Sequence, residues 1–369
     1  MEGPSLHIVG GFLGSGKTTA IASAAKHLMA QGKRVGVVTN DQGKYLVDTA
    51  FFQASAVPAV EVTGGCFCCN YEDLEAQLAR LRESAKPDVI FAESVGSCAD
   101  IVATVVRPLL DLRVSEGDVD TTFSVFTDAR LLRRRLLDLP MPFSDDVVYV
   151  FDKQIEEAGM LVINKRDLLS ADEAAEVRAL AEARFPGKSV RLQNSLSPQE
   201  VEAWVMALEA GAAAAPTTSL EIDYDRYGAG EARLAWLDEM LTFEVPQDGG
   251  RALVIHFMDA LMRLLRREAV PVGHLKFLVQ GGQERVKVSF PTLITKGWER
   301  EVPSLSGSEI QVLVNARAEV ASSRLRDLVS EAADSATSES GASYEASHVA
   351  SFHPAFPNPV HRIASTMPD

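Results

Sequence analysis

Two short strings carry most of the chemistry open to this chain. Gly11-Phe12-Leu13-Gly14-Ser15-Gly16-Lys17-Thr18 has the spacing of a loop that wraps phosphates. Gly64-Gly65-Cys66-Phe67-Cys68-Cys69 packs three of the chain's four cysteines into four positions. In the first string Gly11, Gly14, Ser15 and Gly16 let backbone N–H groups turn inward on an anion, where a helix dipole also favours negative charge. Lys17 would reach the β- and γ-phosphates, and the Thr18 hydroxyl would ligate Mg2+. In the second, the glycine pair permits a sharp turn, and closely spaced thiolates favour Zn2+, Cu+ or similar ions. Three thiolates leave a tetrahedral ion one ligand short, which suits a site that must release its cargo. Free cysteines also pack in cores, and Cys98 could either approach the cluster or only pack.

Two further strings refine the nucleotide. Asn164-Lys165-Arg166-Asp167 closes an apolar run, Met160 to Asn164. The Asp167 carboxylate there can accept both hydrogen bonds offered by the guanine N1–H and exocyclic amine, for which adenine has no equivalent. Lys165 would lie against the base and Asn164 would brace the loop, so GTP is the expected nucleotide. Glu93-Ser94-Val95-Gly96 ends the apolar run Val89 to Ala92. Small GTPases place Asp-x-x-Gly at this point, with the acid on Mg2+ and the glycine sensing the γ-phosphate; here Glu93 and Gly96 take those positions. A nucleotide switch and a thiol cluster in one domain suggest that one controls the other.

The elements that must position these strings follow from the pattern of apolar runs. Strands are expected at 6–10, 34–39, 59–62, 89–92, 122–126, 160–164 and 189–192, alternating with helices at 17–30, 73–82, 171–184 and 198–209. That alternation is the signature of a mostly parallel α/β sheet, a P-loop NTPase fold over residues 1–215. The run Gly211 to Ala215 before Pro216 reads as a linker. A smaller α+β domain is expected over 216–334, with strands at 240–245, around Gly281-Gly282 and at 309–315, and helices at 252–267 and 322–333. Residues 335–369, rich in Ser, Ala and Pro, are expected to be disordered.

Bulk properties narrow the class. A chain of 369 residues with 46% hydrophobic and 24% charged residues reads as globular and soluble. A net charge of -15 argues against a nucleic-acid partner. No apolar run approaches a membrane span. The phosphate loop follows so closely on residue 1 that a signal peptide has no room, and the expected address is the cytoplasm, where thiols stay reduced.

Together these strings resemble the CobW-type GTPases, a metallochaperone-like branch of P-loop proteins. Gly11 to Thr19, the Gly-Gly-Cys-x-Cys-Cys string, the Glu-x-x-Gly switch and Asn-Lys-x-Asp match that family's pattern in order. The resemblance implies GTP hydrolysis coupled to loading or release of a transition metal, zinc or cobalt. It makes Cys66, Cys68 and Cys69 the metal ligands, Lys17, Thr18 and Thr19 phosphate and Mg2+ contacts, and Glu93 the switch acid. Asn164, Lys165 and Asp167 become the base readers. Asp48 falls where the first switch would supply an acid near Mg2+ or the attacking water. The family's Asn-Glu-Phe-Gly reads Asn40-Asp41-Gln42-Gly43 here, making Asp41 the natural substitute. Glu93-Ser94-Val95-Gly96 is similar to a subgroup linked to corrinoid proteins and methyl transfer.

The expected function is therefore a slow GTPase metallochaperone serving a client metalloprotein. The alternatives are a regulatory G protein for a corrinoid enzyme and, against the sense of Asn-Lys-x-Asp, a P-loop kinase of a small molecule. Oligomerisation is compatible with each. The downstream domain is expected to dock partners, with His274 packed rather than exposed to a client. His348, His353 and His361 read as solvent-exposed bystanders.

Overall fold

Strand runs buried on both faces and helices buried on one dictate a layered α/β arrangement, and the computed structural model has it. It describes residues 3–41, 52, 57–111, 120–246, 249–292 and 297–364. The chain begins with β1 (Ser5–Gly10), α1 (Lys17–Ala30), β2 (Val35–Asp41), β3 (Ala59–Thr63), α2 (Tyr71–Ala85) and β4 (Val89–Glu93). A π-helical turn, Val102–Val106, runs into α3 (Arg107–Asp111). There follow β5 (Thr121–Asp128), α4 (Ala129–Leu136), α5 (Asp145–Glu156), β6 (Met160–Asn164), α6 (Ala171–Arg184), β7 (Ser189–Gln193), α7 (Pro198–Glu209) and α8 (Tyr224–Arg233).

The first seven strands form one parallel sheet in the order β3-β2-β4-β1-β5-β6-β7. Its centre is a continuous apolar layer: Ile8, Val9, Ile90, Phe91, Phe123, Phe126, Leu161 and Val162 are all buried. Parallel register brings the carboxyl ends of the strands level, with Val9 opposite Glu93 and Asp128 opposite Asn164. The glycine-rich loop leaves β1, Glu93 ends β4, the Asn164–Asp167 loop leaves β6 and the cysteine loop leaves β3. All four strings therefore collect along one edge, where open α/β sheets hold their ligands.

The second unit holds β8 (Ala235–Glu244), α9 (Gly250–Arg267), β9 (Val272–Gly281), β10 (Glu284–Pro291), β11 (Glu309–Ala318), α10 (Ser322–Ser340) and β12 (Ser343–Phe352). Its strands form a five-stranded antiparallel sheet, β10-β9-β11-β8-β12. Leu253, Phe257 and Leu261 of α9 and Leu325, Leu328 and Ala332 of α10 join the core of that sheet. Inside it, His274 Nε2 shares a 2.8 Å hydrogen bond with Asn315 Oδ1, Asn315 Nδ2 donates to Asp238 Oδ1 at 2.7 Å, and Arg317 pairs with the same oxygen at 3.0 Å. His274 is a packed residue.

Three boundaries differ from expectation. The alanine run after Gly211 is no free linker: Phe123 N donates to Ala213 O at 2.9 Å and Ala214 bridges to Thr122, so it packs along β5. The first unit instead extends to Glu231, with α8 as its added helix, and takes up the chain again from Phe356. The segment expected to be disordered from 335 continues α10 to Ser340 and then adds β12 as an edge strand on β8. Its order comes from the backbone ladder and from two ring contacts, Tyr344 on Phe243 and Phe352 on Trp236, which an average over Ser and Ala conceals.

Candidate nucleotide and metal site

The phosphate loop has a shape only glycine permits at two points. Gly11 has φ 118°, and a Cβ there would stand 2.1 Å from Phe126 O; Gly16 has φ 97°, and a Cβ would stand 2.3 Å from Asn164 Nδ2. The loop closes on itself through Lys17, whose Nζ donates to Gly11 O at 2.7 Å. Ser15 Oγ is buried with no hydrogen-bond partner among the described residues, so the cradle presents an unused polar group to an anion. Thr18 Oγ1 donates to Glu93 Oε1 at 2.9 Å, which brings the two expected Mg2+ residues together; a hydroxyl and a carboxylate are a hard-oxygen set that suits this cation. Thr19 is exposed on α1.

The loop expected to read the base is tied to the phosphate loop by two side chains. Asn164 Nδ2 donates to Ser15 O at 2.7 Å, while Asn164 Oδ1 accepts from Ser195 N at 3.1 Å and Ser195 Oγ at 2.8 Å. Lys165, in the left-handed region at φ 62°, donates to Gly14 O and pairs with Asp128 at 3.2 Å. Burial lowers the Lys165 ammonium pKa. Burial works to raise the Asp128 carboxyl, but Lys165 and then Arg130 hold it below the usual carboxylate range. Asp167 is exposed in the turn Arg166–Leu168, its carboxylate open to a base. Ser195 and Asp128 were not anticipated. Their signals are modest: a polar residue just past β7, and an Asp that ends β5 and caps α4 through Arg130 N.

The cysteine loop is held from below by Asn40, at the carboxyl end of β2. Its Nδ2 donates to Val62 O (3.1 Å) and Gly65 O (2.8 Å), and its Oδ1 accepts from Phe67 N (2.9 Å). Cys66 O then accepts from Cys69 N and Asn70 N, starting α2. The Sγ atoms of Cys66, Cys68 and Cys69 lie within 4.8 Å of one another, with pairwise distances of 2.8, 3.3 and 3.8 Å. Hydrogen bonds from Cys68, then Cys69 and Cys98, hold the Cys66 thiol well below its usual range. Asp41 closes β2 opposite Thr63. Asp48 lies outside the described residues.

Around this cluster stand residues far away in sequence. Gln154 Nε2 donates to Gly96 O at 3.0 Å and to Cys98 O at 2.8 Å. Tyr227 OH accepts from Ala99 N, and buried Glu231 accepts from Ser97 Oγ at 2.8 Å. Burial, and then the charge at Cys66, push the Glu231 carboxyl well above the usual range. Residues 356–364 return as a strap: Val360 N donates to Cys68 O at 2.9 Å, Asn358 N to Cys69 Sγ at 3.4 Å and Ile363 N to Ala103 O at 2.9 Å. Arg362 pairs with Asp100 at 2.7 Å, and the His361 ring meets Tyr71 edge-on. His361 is thus half-buried beside the cluster rather than a bystander.

A parallel sheet with a glycine-bound phosphate loop, a hydroxyl–carboxylate pair and an Asn-Lys-x-Asp loop on its carboxyl edge defines a P-loop nucleotide-binding protein. Residues 5–190 match the family model described as the CobW/HypB/UreG nucleotide-binding domain, and the chain belongs to that family. It is 28% identical over 208 residues to a protein named zinc chaperone CobW from Sinorhizobium sp, covering 50% of this chain and 57% of that one. It is 30% identical over 171 residues to zinc chaperone YeiR of Escherichia coli (strain K12), covering 44% and 46%. The chain spans about half the length of these curated relatives. Among solved structures, HypB from Helicobacter pylori in complex with nickel aligns with a TM-score of 0.44 and 16% identity, over 59% of this chain and 92% of that one.

Proposed function

We propose that this chain is a GTP-hydrolysing metallochaperone. It would bind a transition metal, zinc or cobalt, at Cys66, Cys68 and Cys69 and couple transfer to a client metalloprotein to the state of its nucleotide. The observation that carries this reading is the gathering of three thiols within 4.8 Å of one another in the same compact unit as the phosphate loop. The zinc chaperones among the relatives support the class of cargo.

In this reading Lys17 exchanges Gly11 O for the β- and γ-phosphates, and the N–H groups opening α1 complete the cradle. Asp167 accepts from guanine, with Lys165 against the base and Asn164 bracing both loops. Thr18 and Glu93 would hold Mg2+, which neutralises phosphate charge when bound. Glu93 or Asp48 orients the water whose oxygen attacks the γ-phosphorus, the bond to the bridging oxygen breaks, and GDP and phosphate leave. Turnover is slow without a client. Gly96 follows the γ-phosphate, and the segment after it transmits the change. Metal affinity then depends on nucleotide, and nucleotide affinity depends on metal by the same factor. The reading needs thiols kept reduced, and the proposed address is therefore the cytoplasm. A corrinoid enzyme is the alternative client, to be separated by co-purification.

The test is a Co2+ titration of reduced protein, followed by thiolate charge-transfer absorption, without nucleotide, with Mg·GDP and with a non-hydrolysed Mg·GTP analogue. Affinity that shifts several-fold with nucleotide, and a signal lost on Cys66→Ser, Cys68→Ser and Cys69→Ser, support the reading. Equal affinity in all three states overturns the coupling.

A further inference from the structure

Residues 356–364 pass over the cysteine loop with no helix or strand of their own. In Pro357-Asn358-Pro359-Val360 the prolines lack an N–H and stiffen the backbone, which leaves two main-chain donors. Both are used on the cysteine loop: Asn358 N donates to Cys69 Sγ at 3.4 Å and Val360 N to Cys68 O at 2.9 Å. Two residues on, Arg362 Nε donates to Asp100 Oδ2 at 2.7 Å. Asp100 stands four residues after Gly96, and the Tyr224 hydroxyl of α8 donates to the same oxygen at 2.7 Å. Apolar burial adds little, because two of the strap's three large apolar side chains, Phe356 and Val360, are 57% and 41% exposed. A segment held by polar contacts rather than by buried area belongs to the parts of a fold that open at low cost.

We propose that this strap is a latch over the thiols, bolted by the Arg362–Asp100 ion pair to the segment that follows Gly96. This rests on the reading of Cys66, Cys68 and Cys69 as the place where cargo is loaded and released. Asp100 is 1% exposed and sits in the left-handed region at φ 62°. Its Oδ1 is buried with no hydrogen-bond partner among the described residues, so the carboxylate leans on Arg362 and Tyr224 through Oδ2 alone. A buried carboxylate stripped of its cation is strongly destabilising. Lifting the strap therefore disfavours the present backbone at Asp100, and shifting that backbone deprives the strap of its bolt. The two movements are linked in both directions. In the proposed reading a γ-phosphate acts at Gly96, so the event that moves this segment also unbolts the strap and bares Cys69 to a client. A strap tied to the cysteine loop alone would be blind to the nucleotide.

The test is the rate at which iodoacetamide alkylates Cys69 in the reduced, metal-free full chain, with the label located by peptide mass spectrometry. It is run with Mg·GDP and with a non-hydrolysed Mg·GTP analogue, each at saturation. The native rates are expected to differ several-fold between the two. In Arg362→Gln the rate rises several-fold above the slower native one and no longer depends on the nucleotide, a loss that a merely structural contact would not produce. Arg362→Lys, which keeps the charge, restores part of the dependence. Hydrogen exchange at the Val360 and Ile363 amides of the native chain follows the same nucleotide pattern. Equal native rates in the two states, or native behaviour in Arg362→Gln, overturn the latch and leave the metal site standing. Failure to bind cobalt through sulfur removes the metal reading, whereas alkylation, read without metal, still decides the latch. Should Arg362→Gln fail to fold, exchange in the native chain decides alone.

Discussion

Gly96 lies against Leu13 so closely that a Cβ on the glycine would stand 2.7 Å from Leu13 Cδ2 and 3.0 Å from its backbone N and Cα. The segment after β4, the proposed second switch, is therefore packed directly on Leu13 of the phosphate loop. In the proposed reading, Gly96→Ala pushes this segment away from the place where a γ-phosphate would meet it. The expected result is weaker binding of a Mg·GTP analogue by on the order of tenfold, about 1.4 kcal/mol, with GDP binding little changed. Fluorescent-nucleotide titrations measure both, and an equal loss for the two nucleotides would refute a γ-phosphate role.

Lys17 is buried, and its ammonium bonds Gly11 O. Replacing it with Ala removes the one cation of the loop aimed at the phosphates. Phosphate release from GTP is expected to drop by about 100- to 1000-fold, the scale of losing one preorganised charge donor. Turnover at the native rate would sink the assignment of the loop.

Asp167 is exposed, so its substitution leaves the fold undisturbed and tests base recognition alone. Asp167→Ala removes the acceptor for both guanine donors. The preference for GTP over ATP is expected to collapse by about 100-fold or more, because it rests on a pair of polar contacts. Competition binding of the two triphosphates reads this directly.

His7 supplies a pH dependence that owes nothing to the ligand site. It is buried in β1, its Nδ1 shares a 2.9 Å hydrogen bond with Thr122, and burial lowers its pKa from 6.5 to about 4. The folded state keeps it neutral while the unfolded chain takes up a proton below pH 6.5. Its contribution is therefore present above pH 6.5 and is lost as pH falls through about 4, a change of about 3 kcal/mol at most. Urea midpoints of the native chain should fall across this window, and those of His7→Gln should fall less. Parallel slopes for the two proteins would exclude His7 as the source.

The strap gives an accessibility test. Val360 N and Asn358 N contact Cys68 O and Cys69 Sγ. Deleting residues 356–369 should speed alkylation of Cys69 in metal-free, reduced protein, with peptide mass spectrometry locating the label. An unchanged rate would mean that the strap does not cover the thiol.

The parts of the site that were legible in advance are those whose geometry is local. A glycine loop between β1 and α1, an acid ending β4 and an Asn-Lys-x-Asp turn after β6 each need only a strand end and a few residues. Parallel pairing then brings them level without further instruction. Gln154, Tyr227 and Glu231 were not legible, because each is an ordinary polar residue until long-range packing sets it beside the cluster. The strap is the extreme case. Pro354, Pro357 and Pro359 read as a sign of disorder, yet the same rings restrict the backbone and reduce the entropy lost when the segment is laid down. β12 escaped notice for a related reason, since an edge strand draws its order from a ladder that composition does not record.

That strap also orders events in time. The cysteine loop leaves the ribosome early, whereas the residues that cover it are made nearly three hundred positions later. At about 5–20 residues per second the interval is on the order of tens of seconds. Throughout it the nascent chain carries reduced, uncovered thiols, open to oxidation or to premature capture of whatever ion is at hand. If the cluster holds a metal as proposed, the first opportunity to load it comes during translation, before the cover exists.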